Sequence, residues 1–462
     1  MCDFHKIQKI TCINTQKYIS TIIADRLRHV SNLFSLLSIK LLKVKSLCVL
    51  AFLIINSVSA QDFSDTTSIV WRGGYLDIHH IVTGSGDCTL LVMPDGTTML
   101  VDAGDIGDRK ERTNSYPLKA TRPYPNNLHT AGQWIVKYIQ QVLPNINSPV
   151  IDYALLTHYH DDHIGGITSH TKNAKNGAYK LTGITDVGNS LPIKKLIDRN
   201  YPHNNYPTDL YIAYKKEPSI FLNLQKFINF QHIQNGLIAE QLKVGSTEQI
   251  HLKYLKANYP DFAVRGIKAN GTIWDAKANE TFEYFTADSV IDKRGIFNEN
   301  PLSLAIKVSY GKFDYFTGGD NTGLQGFGTP RWFDVETPIS KSVGPVEVST
   351  LCHHGVRDAV NENFLNYMRP KTIVLQSWSS NHPGEEVLHR LIYSGSKNMF
   401  ATNIQDATKT TLGFWLTNNF KSTFGHVIIR VLPGGEKYYV LIAETIKNKV
   451  QVKKAFGPFL SS

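Results

Sequence analysis

The sequence predicts an α/β protein in which helices cover a β-sandwich, and three observations support this fold class. Alternating apolar segments within residues 75–102 are separated by turn residues at 94–96, which predicts a β-hairpin. Residues 130–143 carry apolar side chains at helical spacing, and Pro144 ends that pattern. The apolar run at 151–156 predicts a short buried strand. This order of strand, loop, helix and strand is the layering expected around one half of a β-sandwich.

The chain has 462 residues, 42% of them hydrophobic, and is long enough to bury a sizeable core. Length alone permits two or three domains, but we expect one large α/β domain over residues 61–462, with an insertion at about 171–290. The formal charge of +10 is concentrated at the N-terminus, because residues 1–60 hold +6 of it. The remaining +4 is weak evidence for nucleic-acid binding.

Residues 1–60 are expected to be an N-terminal extension that ends in a cleavable signal peptide. A basic segment at 40–45 precedes an apolar core at 47–55 that is too short to span a bilayer, and residues 58–60 suit a signal peptidase. The alternatives are a buried helix or an uncleaved anchor, which would be the protein's membrane contact. The sequence therefore predicts an exported protein, periplasmic or extracellular, while the true translation start stays open.

The cysteine content argues against a disulfide scaffold. Of five cysteines, Cys88 and Cys352 would remain after cleavage, which is too few for such a scaffold. Cys48 precedes the apolar run of the signal segment, which argues against a lipoprotein cleavage site. We expect the two remaining cysteines to be buried small hydrophobic residues, with a metal-ligand role as the less favoured alternative.

Three imidazoles and two carboxylates lie within six residues of the run THYHDDHIGG at 157–166. The run follows a predicted strand and ends in two glycines, which places it on a loop at the C-terminal end of that strand. His158 and His160 are two residues apart and face the same way from an extended segment. Asp162 and His163 follow once the chain has begun to turn, so each pair is suited to one metal ion. Imidazole nitrogens and carboxylate oxygens are ligands for zinc and similar divalent ions.

The run at 157–166 resembles the His-x-His-x-Asp-His signature of the metallo-β-lactamase superfamily of hydrolases. Further motifs recur in that family's order, and the similarity covers about residues 75–445. They are GDCTLLVMPDG at 86–96, MLVDAG at 99–104, NPLS at 300–303, FTGGD at 316–320, LCHHG at 351–355 and NHP at 381–383. The combination is most similar to the soluble hydrolase domain of ComEC-type competence (DNA-uptake) proteins. The resemblance implies an αββα four-layer sandwich that binds two divalent metal ions, either zinc or manganese.

The resemblance also implies ligands for the two ions. The predicted ligands are His158, His160, Asp162, His163, Asp320 and His353. His158 and His160 would hold the first ion and the others the second, with Asp320 bridging both. Asp102 ends a predicted strand, and in the family the aspartate at this place supports a histidine ligand from behind. A third histidine for the first ion is not recognisable, because none of the four histidines between residues 170 and 251 has a matching context.

The predicted catalytic residues are Asp162, His354 and His382. Of the adjacent His353 and His354, one is expected to hold the second ion and the other to contact substrate or the leaving group. Their spacing leaves the choice open, and our assignment gives His353 to the metal. His382 lies in the loop after a predicted strand at 372–377 and would donate a proton or stabilise an oxyanion. The alternative is a turn histidine with neither role.

Between the motifs, the sequence predicts mostly supporting structure. Residues 105–129 are expected to form a surface loop near the mouth of the site. The charged run at 194–203 is expected to be a loop, with a solvated surface favoured over substrate contact. Residues 220–242 predict a helix, residues 264–285 a hairpin, and residues 425–444 a closing hairpin.

Two metal ions in such a site would present an activated water to an electrophilic phosphorus or carbonyl carbon. The resemblance implies hydrolysis of a phosphodiester, either a small molecule or a nucleic acid, and no stable protein partner is expected. The alternatives are a lactone, thioester or choline-phosphodiester hydrolase on the same site, and a non-catalytic binding protein on the same fold. The sequence contains no basic and aromatic stripe strong enough to demonstrate nucleic-acid binding, and it leaves the oligomeric state open.

Overall fold

The computed structural model describes residues 26, 28, 65–113, 115–144, 149–175, 177–326 and 328–462. Residues 66–462 form one compact unit. Residues 1–65 form another unit, of which little is described, and the predicted signal peptide lies outside the described residues. No helix in the described part of the chain is long and apolar enough to cross a membrane.

Eighteen strands are found among the described residues. They are β1 (Leu76–His80), β2 (Thr89–Val92), β3 (Thr98–Val101), β4 (Ile151–Leu155), β5 (Ile193–Asp198), β6 (Ile238–Gln241), β7 (Phe262–Ala269), β8 (Thr272–Asp275), β9 (Glu280–Glu283), β10 (Ala305–Tyr310), β11 (Phe313–Thr317), β12 (Val348–Thr350), β13 (Thr372–Leu375), β14 (Asn398–Ala401), β15 (Phe420–Ser422), β16 (His426–Val431), β17 (Lys437–Ile446) and β18 (Lys449–Leu460).

Ten α-helices accompany these strands in the same part of the chain. They are α1 (Ala131–Val142), α2 (Asp161–Ile164), α3 (Gly183–Ser190), α4 (Leu210–Ala213), α5 (Ile220–Asn235), α6 (Ala287–Val290), α7 (Glu336–Val343), α8 (Glu362–Met368), α9 (Glu385–Tyr393) and α10 (Asp406–Thr417). Short 3₁₀ turns lie at Lys110–Arg112, Lys256–Asn258, Asn300–Leu302, Arg331–Phe333 and Cys352–Gly355.

The strands form two nine-stranded mixed sheets. The first has the order β18-β17-β16-β1-β2-β3-β4-β5-β6, and the second has the order β15-β14-β13-β12-β11-β10-β7-β8-β9. Each sheet has an antiparallel part and a parallel part. The parallel strands are β3 to β6 in the first sheet and β11 to β15 in the second.

Three apolar layers show how sheets and helices are stacked. Leu91 and Ile306 point into the layer between the two sheets. The preceding residue of each strand points the other way, as strand geometry requires. Leu90 therefore packs in the layer under α1, α3 and α5, and Ala305 in the layer under α7, α8 and α9. The unit formed by residues 66–462 is thus an αββα sandwich, which confirms the predicted α/β fold class.

Helix α1 shows how local sequence fixes an element beside the site. The Thr130 side chain accepts a hydrogen bond from the Gln133 backbone, and the Gln133 side chain accepts one from the Thr130 backbone, which forms a capping box. The apolar face of α1 is buried in the outer layer of the first sheet. The helix then ends at Val142, just before the proline that the sequence pattern identified.

The segment predicted as an insertion at 171–290 supplies five strands to the two sheets, β5 and β6 to the first and β7, β8 and β9 to the second. Within it, α5 occupies the first part of the predicted helix at 220–242, and β7 and β8 form the first part of the predicted hairpin. At the other end of the chain, β16 and β17 form the closing hairpin.

The expected loop at 194–203 is wrong in its first half, because residues 193–198 form β5. The charged side chains made this segment resemble a loop, but most of them pair with other side chains. Lys195 bonds Glu240 of the neighbouring strand at 2.6 Å. Arg199 is fully buried and donates to Glu299 at 3.0 Å through Nε. Elsewhere, Cys88 and Cys352 are buried and free, as predicted.

Removing one partner of a buried ion pair should cost stability. Arg430 Nη2 lies 2.6 Å from Asp77 Oδ2, with both side chains almost fully buried between β16 and β1. Arg430→Met should lower the free energy of unfolding by about 3–5 kcal/mol, because Asp77 would be left as a buried charge without its cation. Lys312→Met, at an exposed pair with Glu436, should cost at most about 1 kcal/mol. Denaturant titration measures both, and equal losses would contradict the expectation.

The buried Glu336 should make stability depend on pH. Burial raises the pKa of its carboxyl from 4.5 to about 8, although backbone N–H groups of Asn361 and Val360 oppose the shift. Between these values the folded protein binds more protons than the unfolded chain, so this contribution to stability falls as pH rises. Glu336→Gln cannot ionise. Relative to that variant, the wild type should lose at least about 1 kcal/mol between pH 5.5 and 8.5 in denaturant titrations. A difference that stays constant with pH would contradict this.

Candidate metal centre

The predicted ligands lie at the carboxyl ends of strands from both sheets. β4 leads into residues 157–163, β11 into Asp320, and β12 into residues 352–355. β3 pairs in parallel with β4, and β11 with β12, so the carboxyl ends within each pair lie side by side. The sandwich brings these two edges together, which places ligands from distant parts of the sequence around one cavity.

One cluster of potential metal ligands is formed by Asp162, His163, Asp320 and His354, all of them buried. Nε2 of His354 lies 3.1 Å from Oδ2 of Asp162. Nε2 of His163 lies 3.2 Å from Oδ1 of Asp320. Two imidazole nitrogens and two carboxylates therefore converge, two side chains from the loop after β4 and two from the second sheet.

A second cluster is formed by His158, His160 and Asp320. Nε2 of His158 lies 3.7 Å from Oδ2 of Asp320 and 3.0 Å from Nδ1 of His160. Asp320 is thus shared, because Oδ1 faces the cluster with His163 and Oδ2 faces the cluster with His158. This is the arrangement that a carboxylate bridging two cations requires.

The residues present fit divalent ions. Nε2 of His163, Oδ1 of Asp162 and Oδ1 of Asp320 are buried and have no hydrogen-bond partner. Leaving one such atom unpaired costs about 1–3 kcal/mol, and more when it is charged. A divalent ion bound between Nε2 of His163 and Oδ1 of Asp320, which lie 3.2 Å apart, would satisfy both of these atoms. The nitrogen and oxygen donors suit zinc, and manganese accepts the same donors.

The Asp102 carboxylate lies behind the histidine ligand His163, where the resemblance places it. Its Oδ2 is 2.9 Å from Nδ1 of His163, and its Oδ1 accepts a 2.8 Å bond from the Thr157 backbone. The Thr157 hydroxyl donates to Oδ2 at 2.7 Å. These bonds fix the ring of His163 with Nε2 directed at the cluster.

The structure separates His353 from His354. His354, and not His353, joins the cluster with Asp162, so the geometry favours the reverse of our assignment. Nδ1 of His353 lies 2.5 Å from Asp358, and its Nε2 lies 2.9 Å from the Asn300 amide nitrogen. His353 is directed at the cavity with its side chain 19% exposed, a position suited to substrate contact.

His382 lies beside the cluster with a fixed orientation. Its Nδ1 is 3.3 Å from the backbone nitrogens of both Trp378 and Ser379, which donate to it. Its ring stacks on that of His354, with centroids 4.5 Å apart and planes 8° from parallel. The loop that carries His382 therefore contributes to the same cavity as the ligands.

The cavity has a volume of about 500 Å³ and includes residues that sequence reasoning missed. The loop at 105–129 does lie at this cavity, since Arg109 and Glu111 line it. Arg109 bonds Asp161 at 3.0 Å and lies over the ring of Trp378. Asn300 also lines the cavity, and it lies in the 3₁₀ turn that precedes β10. Only the NPLS motif marked Asn300 in advance, and no local pattern marked Arg109 or Trp378.

The charges in the site depend on one another. Burial and neighbouring histidines hold the pKa of His158 well below its usual value. Burial alone would lower the pKa of His163, but three nearby carboxylates raise it well above its usual value. Nearby carboxylates likewise raise the pKa of His354, against the effect of burial. Burial would raise the pKa values of Asp162 and Asp320, but nearby histidines hold both well below the usual range. Protonated histidines balance these carboxylates, so a metal ion must displace those protons to bind.

Solved structures provide a structural likeness for this chain, whereas family models and curated proteins do not. No protein-family model matches the chain, and no curated protein matches it. Among solved structures, the chain is similar to Zn²⁺-bound PqqB from Methylobacterium extorquens, with a TM-score of 0.30 and 10% sequence identity. The match covers 74% of this chain and 86% of that one. The description of the candidate centre therefore rests on the geometry of its own residues.

Substitution of single ligands should remove the ions separately. His158→Ala and Asp162→Ala should each retain about one ion where the wild type retains two, because they belong to different clusters. Asp320→Ala should retain less than either, because Asp320 belongs to both. His203→Ala, at an exposed loop residue, is the matched control. Metal content after dialysis, measured by inductively coupled plasma mass spectrometry, tests this. Two ions retained by His158→Ala or Asp162→Ala would contradict it.

Proposed function

We propose that this protein is an exported metal-dependent hydrolase that cleaves phosphodiesters, either as a phosphodiesterase or as a nuclease. The observation that carries the proposal is the position of Asp320, whose two oxygens face two separate ligand clusters. Two-ion sites of this kind are typical of phosphatases and nucleases. The resemblance to ComEC-type hydrolase domains supports the choice of a phosphodiester, and the sequence of residues 46–60 supports export.

The chemistry would be divided between the ions and the chain. Two divalent ions held by the clusters would lower the pKa of a water molecule and polarise a phosphoryl oxygen. The chain orients the ligands, since Asp102 fixes His163 and the Gln376 carbonyl oxygen lies 3.2 Å from Nδ1 of His354. Buried surroundings exclude bulk water from these contacts, which strengthens each of them. The rings of His163 and His354 thereby keep a fixed orientation.

His382 is suited to donating a hydrogen bond to the substrate. Its Nδ1 accepts from two backbone N–H groups, so the ring proton of the neutral form lies on Nε2. Burial and the nearby His354 hold the pKa of His382 well below its usual value, which keeps the ring neutral near pH 7. A fixed Nε2–H group in a buried site would stabilise negative charge on a substrate oxygen. Of the roles predicted for His382, this favours the oxyanion stabiliser.

Arg109 places positive charge at the cavity. Its guanidinium pairs with Asp161 and lies 3.6 Å from Oδ1 of Asp162, while its side chain is 36% exposed. The group therefore belongs to both the ligand loop and the open face of the cavity. Because Nη2 of Arg109 also bonds Glu111 Oε1 at 2.9 Å, carboxylates balance this charge, and the guanidinium would help to hold Asp161 and Asp162 in position.

Hydrolysis assays would test the proposed substrate. Purified protein, stripped by chelation and reloaded with zinc or manganese, should cleave bis-p-nitrophenyl phosphate and single-stranded DNA. A lactone is assayed in parallel as the third substrate. Asp162→Ala should lower turnover by more than about 100-fold, because it removes a ligand itself and not only its support. His203→Ala should retain wild-type turnover.

Each contrary outcome has a distinct meaning. Turnover of a lactone alone would retain the metal centre and contradict the phosphodiester assignment. Bound metal without turnover of any of the three substrates would favour a binding protein on this fold. Undiminished turnover by Asp162→Ala would refute the metal mechanism.

A further inference from the structure

We propose that Asp87 is a positioning residue for the metal ligand His354, an inference that rests on the proposed two-ion function. Oδ1 of Asp87 lies 3.2 Å from Nδ1 of His354. The other nitrogen of the same ring, Nε2, lies 3.1 Å from Asp162 and 3.6 Å from Asp320. When Nε2 holds a metal, Nδ1 carries the ring proton, and the Asp87 carboxylate lies beside that nitrogen.

The backbone of Asp87 is held in place by two hydrogen bonds. The Asp87 nitrogen donates to the Asp162 carbonyl oxygen at 2.8 Å, and the Gly104 nitrogen donates to the Asp87 carbonyl oxygen at 2.9 Å. These bonds tie Asp87 to the loop that carries a ligand of the same ion. Since none of them uses the Asp87 side chain, they persist when that side chain is changed.

Two oxygen atoms lie 3.2 Å from Nδ1 of His354, one from a backbone carbonyl and one from a carboxylate. The Gln376 carbonyl oxygen lies 3.2 Å from Nδ1 with good hydrogen-bond geometry. Asp87 Oδ1 is equally near but off the ideal direction, and it is a buried atom that has no hydrogen-bond partner. The carbonyl therefore defines the tautomer, while the carboxylate supplies the negative charge that makes Nε2 a stronger donor to a cation.

The other histidine of the same cluster has a similar partner. Asp102 lies 2.9 Å from Nδ1 of His163, so each of the two rings has a carboxylate behind it. Both carboxylates come from the first sheet and its hairpin, although His354 follows a strand of the second sheet. The resemblance includes the motif at 86–96 that contains Asp87 but gives a supporting role to Asp102 alone, so the role of Asp87 is assigned on geometry.

Metal titrations of matched variants test this role. Asp87→Asn keeps the shape of the side chain and removes its charge, and Asp87→Ala removes the group. Zinc affinity for each of two equivalents is measured by competition with a chromophoric chelator. In both variants one equivalent should bind about 10–100-fold more weakly, while the other is unchanged. The absorption spectrum of the cobalt-loaded protein should shift, because the orientation of a ligand changes. Asp108→Asn, at an exposed aspartate outside the metal cavity, should match the wild type in both readouts.

The outcomes separate this inference from the proposed function. A wild type that binds no zinc or cobalt would overturn the proposed function itself. A wild type that binds two equivalents, with both Asp87 variants binding as tightly, would overturn the role of Asp87 and leave the two-ion centre standing. Loss of folding in both variants by circular dichroism would also overturn it, since Asp87 would then act on the fold and not on His354.

Discussion

The site is dominated by the burial of several carboxylates within a few ångströms of one another. Asp102, Asp162 and Asp320 are each at most 3% exposed. A buried carboxylate without a cation costs several kcal/mol, and like charges in one place add to that cost. In the metal-free chain, protonated His163 and His354 compensate this charge. The fold therefore concentrates negative charge at one point, which protons on the histidines balance and which divalent ions would also balance.

The backbone near these carboxylates adopts unusual conformations that position the candidate ligands. Asp102, His353 and His354 have φ values of 57°, 45° and 51°, in the left-handed region that residues with side chains rarely adopt. Such conformations cost of order 1–3 kcal/mol each and persist where surrounding structure determines them. Gly104 is required for close approach, because a Cβ there would lie 1.7 Å from the Asp162 carbonyl oxygen. Strain and close contact thus coincide with the ligands.

Much of the fold and site was accessible from sequence because the signals are local. The hairpin that precedes Asp102, helix α1 and strand β4 each follow from periodicity and turn residues within a few positions. The pairs His158 with His160 and Asp162 with His163 lie in one short run, so their spacing alone suggested two sites. The resemblance placed Asp320 in the same site, although its strand belongs to the other sheet.

The features that sequence missed depend on contacts between distant segments. Strand β5 contains Lys195, which pairs with Glu240 on β6, and is followed by Arg199, which pairs with Glu299. Without these distant partners, the charged segment has the sequence pattern of a loop. His353 and His354 are two successive residues with left-handed φ values, and this backbone directs His354 into the cluster with Asp162, which no alternation rule anticipates. Arg109 and Trp378 meet across 269 residues of sequence. Local patterns carry no information about such pairs.

The clusters also join the two sheets at their shared edge. Asp162 and His163 follow β4 of the first sheet, whereas Asp320 and His354 follow β11 and β12 of the second. An ion held by all four would be a cross-link between the halves of the sandwich, in addition to the apolar layer between them. Binding of a ligand only to the folded state adds stability, about 2.7 kcal/mol at a free concentration 100 times the dissociation constant. An ion bound by all four side chains would therefore also favour the observed alignment of the two sheets.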